Sequence, residues 1–111
     1  MAKKPTTPNF GQTGAKFDAG KTRYSLLLGG MPLALEGVAK VLTIGAVKYT
    51  DHSWQNVPNG IDRYFSAFMR HVMEIMKDGP GATDEETGLL HIDHVNCNGL
   101  FLAELLRKAA S

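Results

Sequence analysis

Three stretches of the chain repeat apolar residues at spacings of three and four, the period of a helix with one buried face. The first runs from Pro32 to Tyr49, with Leu35, Val38, Val41, Leu42 and Ala46 on its stripe, and Pro32 suits a first helical turn. Gly37 and Gly45 each lower helix propensity by about 1 kcal/mol relative to alanine, so packing must hold this segment. The second, Ile61 to Lys77, carries Ile61, Phe65, Phe68, Val72, Ile75 and Met76 and is the clearest helix of the three. The third is expected from Thr87 or Gly88 to Lys108. Asp84, Glu85 and Glu86 stand near its positive end, and Arg107 and Lys108 near its negative end.

The segments between them are rich in turn formers. TDHSWQNVPNG (50–60) reads as a loop anchored by Trp54, and Gly79, Pro80 and Gly81 stop the second helix within DGPGATDEETG (78–88). FDAGKTRYSLLLGG (17–30) is expected as a loop with a short apolar anchor at Leu26, Leu27 and Leu28. With no strand alternation and no internal repeat, the pattern predicts an all-α fold, a small bundle of about three main helices. Residues 1–15 are polar and broken by Pro5, Pro8, Gly11 and Gly14, which predicts a flexible arm. Residues 16–111 are expected to form one helical domain, because 111 residues are too few for two independent cores.

Composition narrows the function classes. Twelve basic against eleven acidic residues give a net charge of +1, which argues against a duplex nucleic-acid binder but leaves room for one small phosphorylated ligand. Cys97 is the only cysteine, which excludes an internal disulfide or a multi-cysteine zinc site within one chain. No apolar run approaches the length of a membrane span and the N-terminus lacks an apolar signal core, so a cytosolic protein is expected.

The chemistry-bearing residues fall in three places. His91, His94 and Asn98, at i, i+3 and i+7, share the stripe of the third helix that continues to Leu105, so three polar groups are predicted on a core-facing surface. Buried polar groups cost about 1–3 kcal/mol each when unpaired, so they need partners. The second helix offers them: His71 and Glu74 lie three apart, with Arg63 and Arg70 along the adjoining face. Antiparallel packing would bring His71 and Glu74 opposite His91 and His94, where two histidines and a carboxylate could bind a divalent ion. Water, a ligand or purely structural hydrogen bonds would satisfy the same groups.

The loop GAKFDAGKTR places Lys16, Lys21 and Arg23 around Gly20, within reach of a phosphate, but its glycine spacing misses the P-loop pattern by one residue. After the first helix, Lys48, Tyr49, His52 and Trp54 could stack on a base and meet a phosphate, although Trp54 also suits a core plug. Cys97, mid-helix, reads as a small buried hydrophobe. A small bundle with a polar core stripe is expected to complete itself as a homo-oligomer.

The stretches GAKFDAGKTRYSLL, VLTIGAVKYTDHSW, RYFSAFMRHVMEI and ETGLLHIDHVNCNGLFL resemble the phage-associated dATP/dGTP diphosphohydrolase N-terminal family, over about residues 14–106. The resemblance implies a helical fold in the style of MazG-like nucleotide pyrophosphohydrolases, a phage origin, deoxynucleotide ligands and the host cytosol as the compartment. Those enzymes hold Mg²⁺ with E-x-x-E and a later E-x-x-D. At comparable positions this chain has His71-x-x-Glu74 and His91-x-x-His94, with Asp93 one position out of phase. One carboxylate of four is present, and imidazole suits Mn²⁺ or Zn²⁺ better than Mg²⁺.

Two readings follow. In the first, the chain hydrolyses a purine deoxynucleoside triphosphate to the monophosphate and pyrophosphate. Glu74 and His71 are then the catalytic candidates, Glu74, His91 and His94 the metal ligands, and Lys16, Lys21, Arg23, Lys48, Trp54, Arg70 and Asn98 the nucleotide contacts. In the second, it is a non-catalytic sponge that sequesters a nucleotide-derived immune signal of the host.

Overall fold

A computed structural model of the chain describes residues 19–111. The arm expected at residues 1–15, and Lys16 after it, lie outside the described residues. The described residues divide into two units, 19–30 and Met31–Ser111. In the first, a turn at Ala19 and Gly20, with Gly20 at a left-handed φ of 81°, leads into helix α1, Tyr24–Gly30. Here the expected loop is corrected to a helix. Three consecutive leucines are good helix formers, and Gly29 and Gly30, which read as breakers, fall at its end, where glycine is tolerated.

The second unit holds the three expected helices: α2, Pro32–Lys48, α3, Gly60–Asp78, and α4, His91–Ala110. A 3₁₀ turn, Ser53–Asn56, lies between α2 and α3 and packs on both α3 and α4. All described regular structure is helical, apart from a lone bridge between Thr83 and Leu90. The most extensive packing is α3 on α4, with α2 also lying on α4. Tyr64, early in α3, meets Phe101, late in α4, while His71, late in α3, meets His91 at the start of α4. The two helices therefore run antiparallel.

The buried face of α4 consists of His91, His94, Val95, Cys97 and Asn98, with Val38 of α2 also buried. That is the polar stripe the spacing predicted. Gly37 explains the close approach of α2: a Cβ there would run into the Asp93 carboxylate, so the missing side chain admits an acidic residue of α4 against the α2 backbone.

The start of α4 differs from expectation. Residues 87–90 are not helical because Asp84 captures the Thr87 backbone N–H at 2.9 Å and its hydroxyl at 3.0 Å, a turn that competes with helix formation. Gly88 adopts a φ of 74° and Leu90 is extended, so the first helical residue is His91. Asp93, not residues 84–86, supplies the acidic group of the first turn. No single described helix is long and apolar enough to cross a membrane.

Candidate functional site

Three histidines and one aspartate converge where the end of α3 faces the start of α4. His71 Nδ1 lies 2.8 Å from His91 Nδ1, and the His71 ring stacks on His94 at 4.5 Å between centroids and 9° between planes. Asp84 reaches the same spot from the loop before α4, its Oδ2 3.9 Å from His94 Nε2. Ligand atoms of His71, Asp84 and His91 all lie within 4.8 Å of one another.

Thr87 organises the cluster through a single hydroxyl. Its proton goes to the Asp84 carboxylate, which can only accept; the oxygen must therefore accept from His94 Nε2–H at 2.8 Å and from the Leu89 N–H at 3.2 Å. This fixes the proton of a neutral His94 on Nε2. Between His71 and His91 one Nδ1 donates and the other accepts, so one proton serves both rings.

Electrostatics favour the uncharged form of two of the histidines, His71 and His94. Burial lowers the His71 pKa, and repulsion from His94 and His91 lowers it further. Burial also lowers that of His94, against the opposing pull of Asp84. For Asp84, burial acts to raise the pKa, but the two Thr87 hydrogen bonds and the nearby imidazoles outweigh it and hold the carboxyl below its ordinary value. The result at neutral pH is two neutral imidazoles, His71 and His94, beside an ionised Asp84, the state in which such groups accept a cation or a proton.

An open cleft of about 1310 Å³ is walled by α2, the 3₁₀ turn, α3 and α4. Arg63, Arg70 and Arg107 line it, as do Trp54, Tyr64, Phe101 and Asn98. The aromatic wall is self-supporting: Trp54 stacks on Phe101 at 4.2 Å, Tyr64 tilts onto Phe101 at 4.8 Å, and the Tyr64 hydroxyl donates to the Trp54 carbonyl at 2.7 Å. Asn98 links cleft and cluster, because its Nδ2 donates to the His94 carbonyl at 2.9 Å. Arg70 and His71, adjacent in α3, belong to cleft and cluster respectively.

The sequence candidates thus separate. His71, His91 and His94 come together, and Trp54, Arg70 and Asn98 share the cleft with Tyr49 and His52. Glu74 instead lies 3.3 Å from Lys77. Lys48 pairs with Glu86 at 2.8 Å, both exposed, and does not line the cleft. Lys21 and Arg23 stand exposed before and at the entry to α1. Cys97 is 1% exposed, with burial pushing its thiol up to about 11, the inert group expected of it. Sequence reasoning did not assign Asp84, Thr87, Tyr64, Phe101 or Arg107 to a site. Phe101 carried a signal, since it follows Asn98 by three residues, whereas Arg107, nine residues on, did not, and Asp84 and Thr87 depend on a turn that periodicity does not reveal.

The profile of the family described as "dATP/dGTP diphosphohydrolase, N-terminal" matches residues 11–111. A dATP/dGTP diphosphohydrolase of Salmonella phage PMBT28 is 42% identical over 96 residues, covering 86% of this chain and 31% of that protein. The chain therefore spans about a third of the length of the curated relative it matches. No solved structure matches it. With the family profile extending over nearly the whole sequence and a relative this similar, the chain belongs to the dATP/dGTP diphosphohydrolase N-terminal family.

Proposed function

We propose that this chain binds a purine deoxynucleoside triphosphate in the cleft and takes part in its hydrolysis to the monophosphate and pyrophosphate. The observation that carries the reading is the cleft itself, where Arg63, Arg70 and Arg107 stand with an aromatic wall and Asn98 in one cavity. Arginine matches phosphate oxygens with paired N–H groups, and an aromatic face accepts any purine. In the reaction a water oxygen bonds to the α-phosphorus, the Pα–O bond to the β-phosphate breaks, and pyrophosphate leaves. The arginines would neutralise the charge that moves onto the departing group.

Burial holds His71 neutral at ordinary pH, so its ring offers a lone pair to a cation. The reading carries a divalent-ion requirement, as the notional charge of a triphosphate exceeds what these arginines neutralise. Magnesium does not fit the residues present: it favours oxygen donors, and the histidine cluster brings one carboxylate, Asp84, while Glu74 pairs with Lys77 and Asp93 packs on Gly37.

The test is to incubate the protein with dATP and dGTP, with and without Mn²⁺ or Zn²⁺, and to measure both pyrophosphate and bound nucleotide. Binding weakened by about tenfold or more in Arg70→Ala supports the cleft, since a charge-assisted hydrogen bond contributes about 1.5–3 kcal/mol. Unchanged binding in both Arg70→Ala and Arg63→Ala would remove the cleft from consideration.

The single carboxylate of the cluster favours one alternative, the non-catalytic sponge for a nucleotide-derived host immune signal. Intact nucleotide recovered after denaturation, with no pyrophosphate at any ion tested, would select it.

A further inference from the structure

We propose that His71, Asp84 and His91 form a binding site for one transition-metal dication of the zinc class, with Thr87 and His94 holding its carboxylate in place. The inference deepens the divalent-ion part of the functional reading and rests on it only for its bearing on hydrolysis; the metal site itself stands on the side chains.

The donor chemistry comes first. Two imidazoles and a carboxylate are a set that borderline ions such as Zn²⁺, Co²⁺ and Mn²⁺ accept, and three protein ligands leave a position for water or a phosphate oxygen. Spacing agrees. Ligand atoms about 2.0–2.1 Å from a tetrahedral zinc stand about 3.3 Å from one another. The two Nδ1 atoms are 2.8 Å apart, so a small rotation of either ring opens the required gap. The Asp84 ligand atom lies within 4.8 Å of both and closes the remainder by side-chain rotation.

The surroundings resemble those of a prepared metal site. A ligating carboxylate needs hydrogen bonds to orient it, and Asp84 receives two from Thr87, at 2.9 and 3.0 Å. The hydroxyl that donates one of them is fixed in turn by His94 Nε2–H at 2.8 Å. His91 is buried and His71 half-buried, which restricts their rotamers. Both Nδ1 atoms meet at one spot that a single shared proton now bridges; when that proton moves to the Nε2 of the ring that holds it, both Nδ1 lone pairs are free for a dication and both rings stay neutral.

The site combines residues from three places in the chain, α3, the loop and the first turn of α4. Metal binding would therefore tie the loop to both helices and stabilise the folded chain.

The experiment uses chelator-stripped full chain without nucleotide. Equilibrium dialysis against Zn²⁺ is followed by metal analysis, and Co²⁺ titration is followed by its visible absorption. Expected are one ion per chain, an intensified low-symmetry cobalt spectrum, displacement of cobalt by zinc, and no displacement by millimolar Mg²⁺. Asp84→Asn, which keeps the shape and one hydrogen-bond acceptor, should weaken binding at least about tenfold. His71→Ala, at a half-buried position, should do the same with helical circular dichroism unchanged.

Absence of stoichiometric zinc in the wild type overturns the proposal, and so does zinc affinity unaltered in both variants. The nucleotide reading is scored separately by dATP binding. Zinc retained with dATP unbound leaves the metal site standing and removes the nucleotide reading, and the reverse result removes only the metal site.

Discussion

Replacing Thr87 by valine removes one oxygen atom and its proton while keeping the side chain's branched shape, so its effect isolates the hydrogen bonds of the hydroxyl. Three are lost: to Asp84 at 3.0 Å, from His94 Nε2–H at 2.8 Å and from the Leu89 N–H at 3.2 Å. The first reaches an ionised carboxylate and contributes about 1.5–3 kcal/mol, and the other two about 1 kcal/mol each. The sum is about 3.5–5 kcal/mol if nothing replaces them.

Water reduces that figure, because Thr87 and Asp84 are only partly buried and Asp84 keeps its bond from the Thr87 backbone N–H. His94 is the exception: its side chain is 11% exposed, and among the described residues its Nε2–H has no other partner within hydrogen-bond reach than the hydroxyl. A net loss of about 2–3 kcal/mol follows, about 30- to 150-fold in the unfolding equilibrium. Urea denaturation in chelator at neutral pH measures it, with Thr87→Ser as the control that restores the hydroxyl. A Thr87→Val loss below about 0.5 kcal/mol, the range of ordinary surface substitutions, would refute the idea that this hydroxyl organises the cluster. So would a serine variant as unstable as valine.

Acid should destabilise the metal-free chain in two stages. The folded pKa values of His71 and His94 lie below their ordinary 6.5, so stability is complete above that pH and falls as pH drops through the folded values. Asp84, depressed below 3.8, adds a second loss at lower pH. A urea midpoint equal or higher at pH 5 than at pH 8 would contradict this. Cys97, buried and with its thiol pushed up to about 11, should resist a thiol reagent at pH 8 in the native chain and react fully in denaturant; native reaction at the denatured rate would contradict the burial. Phe101→Ala removes the ring on which Trp54 and Tyr64 rest, and should cost about 3–4 kcal/mol while weakening nucleotide binding. A Phe101→Leu variant, which retains most of the volume, should lose less than half as much by the same denaturation assay.

What the sequence revealed and what it concealed follow from the range of the interactions involved. The helices α2, α3 and α4 were legible because apolar residues recur at spacings of three and four along each of them, although Ile61, Phe65 and Met76 of the α3 stripe stand exposed, and the stripe of α4 correctly placed His91, His94 and Asn98 inside. The start of α4 was misplaced because acidic residues before an apolar run read as a helix N-terminus, while the Asp84–Thr87 turn uses the same letters for a competing local bond. The short helix α1 was hidden by its two glycines, which periodicity counts as breakers wherever they fall.

Helical spacing also determined which carboxylate looked important. Glu74 stands one turn from His71, so pattern reasoning assigned it to the cluster, yet residues at i and i+3 diverge in direction enough for a neighbouring lysine to take one of them. Asp84 is distant from His71 in sequence and joins it only because the loop doubles back between Thr83 and Leu90. That difference bears on the chemistry. A carboxylate on α3 would move with the helix, whereas one on a loop moves with the turn that Thr87 closes. Anything that opens this turn withdraws the carboxylate and leaves the histidine pair in place. Cation binding and the Asp84–Thr87 turn should therefore be lost together, while the arginine cleft, built on α2, the 3₁₀ turn, α3 and α4, keeps its shape. On this reasoning Thr87→Val separates the two sites: zinc affinity falls by about tenfold or more, and dATP affinity in the absence of metal stays within about twofold of wild type. Equal loss of both would mean that cluster and cleft are one site, joined through Asn98 and His94.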